Sequence, residues 1–167
     1  MKLNIPITIS IACQSISTAF VIITFILENW IVVKSTNVRY GMWRGCNSSQ
    51  CYNWYSKGEE VLDFKLSSSY KAFQGLQSSM LGLIVITLVS LFFNLKLCPK
   101  LLPIFIIDAI LIFLATCCGL VSLIVFVTDI FKSDIHNLDW CFWLSVVALV
   151  MVFFGLIFLV AFSISIE

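Results

Sequence analysis

The chain has 167 residues, of which 60% are hydrophobic and only 11% charged, with a formal net charge of +1. Soluble domains carry about 25% charged residues, so lipid is the expected solvent, and the absence of any Lys/Arg cluster argues against nucleic acid as a partner. The single histidine, His136, leaves little room for a zinc site or a Cys-His catalytic pair, so no metal, cofactor or catalytic residue is expected.

A helix crossing the hydrocarbon layer needs about 20 predominantly apolar residues. Four segments qualify, at about 5–27, 73–95, 101–127 and 141–163. Each must be helical, because backbone exposed to lipid has to satisfy its own hydrogen bonds. The first is longer than the h-region of a signal peptide and no small-x-small cleavage site precedes Glu28, so it is read as a retained span. Neither Met1-Lys2 nor Ser-Ile-Glu167 offers a lipidation signal. The fold class is therefore an all-α membrane protein, one domain over 1–167: a four-transmembrane-helix bundle with loops at about 28–72 and 128–140 on one side.

In the first span Ser10, Gln14, Ser17, Thr24 and Glu28, with Val21 between them, fall on one helical face. Gly75, Ser78, Ser79 and Gly82 in the second span, Ala115 and Gly119 in the third, and Ser145, Ala148 and Gly155 in the fourth are expected to let helices approach closely. They serve either bundle packing or contacts between copies. Asp108 is the one acid clearly inside a span, about 10 Å from its inner end at 1.5 Å per residue. Gln14 lies at comparable depth, which predicts a buried Gln14–Asp108 hydrogen bond as the cheapest way to hold the acid. Cys117 and Cys118 read as packing residues, and Cys98, at the inner membrane edge, as a palmitoylation candidate.

The first loop carries Val38-Arg39-Tyr40-Gly41-Met42-Trp43-Arg44-Gly45-Cys46, then Asn47-Ser48-Ser49-Gln50 and Cys51-Tyr52-Asn53-Trp54-Tyr55. Strand formers flanking a turn-forming stretch predict a hairpin whose opposed cysteines either form a disulfide or remain free thiols. Such a short ring fixes register more than it restricts the unfolded chain. A disulfide requires an oxidising compartment, and the Asn47-Ser48-Ser49 sequon is a glycosylation candidate only if it faces the lumen. Both place this loop outside and both termini in the cytoplasm. The raw count of basic residues favours the outer loops, but the inner segments holding Lys2, Lys96 and Lys100 are far shorter. Trp30, Trp43, Trp54 and the tyrosines have two homes: beneath a small sheet at the bilayer surface, or on an exposed recognition patch. Glu59, Glu60, Asp63 and Lys65 read as a solvated stretch without catalytic spacing.

Trp30, then Gly41-Met42-Trp43, Cys46 and Cys51, resemble the Trp–Gly-Leu-Trp–Cys–Cys signature of the claudin superfamily, which includes peripheral myelin protein, the epithelial membrane proteins and lens fibre membrane intrinsic protein. Tyr70-Lys71-Ala72-Phe73 looks like the segment leading that family into its second helix, with Lys71 where an arginine is usual. The resemblance implies a left-handed four-helix bundle topped by an extracellular antiparallel sheet to which the second outer loop contributes. It also implies a Cys46–Cys51 disulfide and Trp30 and Trp43 as anchors of the sheet. Met42 replaces the usual leucine. The short spacing between the cysteines looks more like the myelin- and lens-type branch, and the chain lacks the Tyr-Val ending with which many claudins bind scaffolds, so a tight-junction strand former is not expected. The implied function is non-enzymatic: cell–cell contact or membrane organisation at the plasma membrane. The alternatives are an auxiliary or trafficking subunit of a channel or receptor, and a paracellular barrier or pore component. Partners are then membrane lipid and other membrane proteins, including further copies of the chain.

Overall fold

The computed structural model describes residues 5–47, 50–55, 67–97, 102–131 and 136–164. Cys98 and the Glu59, Glu60, Asp63 and Lys65 stretch lie outside them. Four long helices dominate: α1 (Ile5–Ile26), α2 (Ser68–Leu97), α3 (Leu102–Val125) and α4 (Trp140–Ile164). All four are long and apolar enough to cross a membrane. A short π-helical turn, Phe126–Ile130, extends α3.

The buried faces share one period. Inward positions are Ile7, Ser10, Gln14, Ser17, Val21 and Thr24 on α1, and Phe73, Gln77, Met80, Ile84, Thr87, Leu91 and Asn94 on α2. On α3 they are Phe105, Asp108, Ile112, Ala115, Gly119 and Ser122, and on α4 Ser145, Ala148, Val152, Gly155, Leu159 and Phe162. Steps of three and four alternate throughout, the 3.5-residue repeat that makes helices cross with a left-handed twist. α1 packs most extensively on α4, and α2 on α3. Small and hydroxylated residues set the α1–α4 contact. The Ser10 hydroxyl donates to the Gly155 carbonyl at 2.8 Å and the Ser17 hydroxyl to the Ala148 carbonyl at 2.9 Å.

Three expectations are corrected. On α2 the small residues Gly75, Ser79 and Gly82 face outward, and a Cβ on either glycine would meet nothing within 4 Å. The inward positions are occupied instead by larger side chains, because Phe73 and Met80 fill space that small residues would leave open. Gln14 and Asp108 take separate partners. The Gln14 amide donates to Ser10 Oγ at 3.2 Å and its oxygen accepts from Thr87 Oγ1 at 3.3 Å, whereas Asn94 Nδ2 donates to Asp108 at 3.5 Å. Thr87 and Asn94 lie two turns apart on α2, so the two polar sites are about 10 Å apart along the bundle. Finally, α2 begins at Ser68 rather than near Phe73, because the Ser67 hydroxyl caps it by accepting from the Tyr70 N–H at 3.1 Å.

Above the helices lies one five-stranded antiparallel sheet. Its strands are β1 (Ile31–Val33), β2 (Arg39–Tyr40), β3 (Arg44–Cys46), β4 (Cys51–Asn53) and β5 (His136–Leu138), in spatial order β4-β3-β2-β1-β5. β5 comes from the second loop and pairs Ile31 with Leu138 and Val33 with His136, so both loops build one sheet. Asn37 makes the β1–β2 turn at φ 54°, a left-handed conformation that asparagine tolerates.

Candidate functional site

The sheet sits on an aromatic floor. Alternation along β1 and β2 turns Ile31, Val33 and Tyr40 down into a cluster with Trp30, Met42, Trp54, Tyr70, Phe73, Phe126 and Phe142. Trp30 is 1% exposed, with ring centroids 4.9 Å from Phe73 and 5.2 Å from Phe126. Its indole N–H donates to the Thr24 carbonyl at 2.8 Å, one of the carbonyls left open at the end of α1. Trp30 therefore lies beneath the sheet, the first of its two expected homes, but packs against the helix ends there and forms no recognition patch. Trp54 is buried as well and donates to the Gly41 carbonyl at 2.9 Å. Trp43 is half-buried, its ring centroid 5.2 Å from Phe25, and its indole N–H has no hydrogen-bond partner among the described residues.

Gly41 is fixed by contact. A Cβ there would lie 2.3 Å from Glu28 Cα and 2.8 Å from the Leu27 carbonyl, because the β2–β3 turn crosses directly over the chain leaving α1. That approach also exposes the Gly41 carbonyl to two donors, the Trp54 indole and the Tyr70 hydroxyl. The next carbonyl, of the buried Met42, accepts from the Gln74 amide, and the Gln74 oxygen accepts from the Tyr55 hydroxyl at 2.8 Å. Tyr70, Phe73 and Gln74 thus clamp the loop, while Lys71 between them is exposed. Sequence reasoning singled out Lys71 and missed Gln74. The i, i+3, i+4 spacing of Tyr70, Phe73 and Gln74 is the signal that marks one helix face.

The hairpin expectation holds. Cys46 and Cys51 are opposed in the β3–β4 register and bonded, with Cα atoms 4.0 Å apart. The Asn47 N–H donates to the Gln50 carbonyl at 3.0 Å, making that pair the hydrogen-bonded one. The cysteines form the adjacent pair, where side chains of an antiparallel ladder approach most closely. Asn47 Oδ1 accepts from the Gln50 N–H at 2.8 Å, while Ser48 and Ser49 of the sequon lie outside the described residues. Arg44 holds Glu28 at 2.8 Å across the sheet edge.

Among the described residues, none packs over the opposite face of the sheet. Registers Val32↔Arg39, Arg39↔Cys46 and Cys46↔Cys51 form one row across four strands. That row, with Glu28, Asn37, Asn47 and Gln50, lines a concavity of about 610 Å³. The Glu28 carboxylate and both sulfurs lie within 4.8 Å of one another, but the sulfurs are spent in the disulfide and supply no thiolate to a metal. The face offers hydrogen-bonding groups and a guanidinium, with no nucleophile–base pair among its residues.

Residues 4–159 match the family model described as PMP-22/EMP/MP20/Claudin. The chain belongs to that family. No curated protein matches the sequence. As a PMP-22/EMP/MP20/Claudin protein it is a non-enzymatic, multi-pass membrane protein, and its four spans with a small antiparallel sheet are the architecture that its claudin-like signature leads one to expect. The signature residues fall into two groups. Trp30, Gly41, Met42 and Trp43 join the sheet to the helices, and the two cysteines staple the hairpin beyond them.

Proposed function

We propose that this protein acts in cell–cell contact or membrane organisation at the plasma membrane. Its termini are cytoplasmic and the open face of the sheet is its interaction surface. The observation that carries this reading is the unequal use of the two sheet faces. The lower face is buried on the helix ends, whereas the upper face carries Arg39 and amide side chains around an open concavity. Charge-depleted spans and tight packing below supply a rigid support, and among the described residues the sheet presents a polar, shaped surface above them. The short Cys46–Cys51 hairpin supports a place in the myelin- and lens-type branch, and Asn47 at the rim of the concavity is where a glycan would stand.

The test is expression of the full chain in non-adherent cells. Enrichment at cell–cell contacts, lost on Arg39→Glu with surface delivery unchanged, supports the contact role. Uniform surface staining, or a stable complex with one larger membrane protein that Arg39→Glu leaves intact, overturns it, the second outcome in favour of an auxiliary subunit.

A further inference from the structure

Three glutamines are buried: Gln14, Gln74 and Gln77. Gln14 and Gln74 have both amide nitrogen and oxygen matched by protein groups. Gln77 does not. Its Nε2 donates to Ser145 Oγ at 3.3 Å, but its Oε1 has no partner among the described residues, and neither has the hydroxyl of fully buried Ser122. Leaving a buried polar group bare costs about 1–3 kcal/mol, and two such groups rarely share a locality without something between them.

Packing on both sides shows that they share one. Toward the sheet, the rings of Phe73, Phe126 and Phe142 meet, with centroids 5.0 Å apart for Phe73–Phe126 and 5.6 Å for Phe126–Phe142. Toward the membrane centre, a Cβ on Gly119 would lie 2.6 Å from Met80 Sδ and 2.9 Å from Leu149 Cδ1. Gln77 lies one turn from both Phe73 and Met80, Ser122 one turn from both Phe126 and Gly119, and Ser145 one turn from both Phe142 and Leu149. Gln77, Ser122 and Ser145 therefore form one polar layer across α2, α3 and α4, closed above by aromatic rings and below by a tight apolar contact.

We propose that this layer is an internal water site, in which one water donates to Gln77 Oε1, exchanges a hydrogen bond with Ser122 Oγ and lies within reach of the Ser145 hydroxyl. The ligand must both donate and accept. It must also be small, because the adjoining layer has no room for even an added methyl at Gly119. A cation would call for an anionic ligand, and the layer's three side chains include none. Two to four polar partners are what a buried water ordinarily has. The site links the three helices directly beneath the floor that carries the sheet.

Solid-state NMR on protein labelled with ¹⁵N-glutamine in lipid bilayers tests this by following magnetisation from water protons to side-chain amides. Exposed Gln50 is the wet reference and Gln14, matched by protein groups alone, the dry one. The Gln77 amide is expected to build up several-fold faster than Gln14, because the proposed water lies beside it. Ser122→Ala should slow it toward the Gln14 rate, while Ser122→Thr, which keeps the hydroxyl, should not. A Gln77 rate equal to that of Gln14 in the unaltered protein overturns the proposal, as does a rate unchanged by Ser122→Ala. Should Ser122→Ala fail to fold, the comparison of Gln77 with Gln14 in the unaltered protein decides alone.

Discussion

Replacing Gly41 by alanine adds one methyl group where the chain leaving α1 already stands. The new Cβ would lie 2.3 Å from Glu28 Cα and 2.8 Å from the Leu27 carbonyl, both backbone atoms, so no side chain can swing aside. Relief requires the β2–β3 turn to lift from the helix end. That movement weakens the hydrogen bonds from Trp54 and Tyr70 to the Gly41 carbonyl. Overpacking costs about 1–3 kcal/mol and a buried hydrogen bond about 1 kcal/mol, which together give about 3 kcal/mol, or roughly a hundredfold in the ratio of folded to unfolded protein. Gly75→Ala and Gly82→Ala add the same methyl into open space on the outer face of α2. They should be neutral or stabilising by up to about 1 kcal/mol through helix propensity. Reversible denaturation in mixed micelles, followed by tryptophan fluorescence, compares the three variants. A Gly41→Ala protein within about 0.5 kcal/mol of the unaltered one would refute the close approach as the reason for glycine, since that is the scatter expected of an unconstrained surface site.

Asp108→Asn keeps a group that can accept from Asn94 and should change stability by less than about 1 kcal/mol. Asp108→Leu removes one of the two acceptors of that amide, leaving Ser90 Oγ as the other, and should cost about 1–3 kcal/mol, read in the same denaturation assay. Cys46→Ser opens the hairpin and should lower stability by about 2–3 kcal/mol. The loss should be reproduced by a reductant on the unaltered protein and absent when the reductant is added to the variant. Tyr70→Phe removes one of two donors to the Gly41 carbonyl and should cost about 0.5–1.5 kcal/mol, whereas Lys71→Ala, on an exposed side chain, should stay within about 0.5 kcal/mol.

The helical framework was legible because lipid permits few solutions. Segment length and apolarity locate the spans, and the three–four alternation of Ser10, Gln14, Ser17, Val21 and Thr24 marks the buried face of α1. The same logic misled on α2. Glycine and serine are equally at home between helices and toward lipid, and only the larger residues at Phe73, Met80 and Ile84 reveal which face turns inward. The pairing of Gln14 with Asp108 failed because depth in a span depends on where each helix begins and how neighbours are staggered, which one sequence does not encode locally. The cysteine hairpin was readable from strand formers flanking a turn. The destination of Trp30 was not, since an indole at a membrane boundary suits a bilayer surface and a protein floor alike.

The pairing of β1 with β5 bears on the order of assembly during synthesis. The β3–β4 hairpin joins residues close in sequence, so it can form as soon as the first loop has been made. β1 stays half-paired until Asn137 and Leu138 arrive from the far side of the third span. Until then its unmet backbone groups form a sticky edge that a chaperone can bind and that β5 later covers. The seam between Ile31 and Leu138 thus closes only once the third helix has been threaded and the second loop has reached the side of the first. A chain stalled before the third span would carry a closed disulfide and still expose the unpaired side of β1.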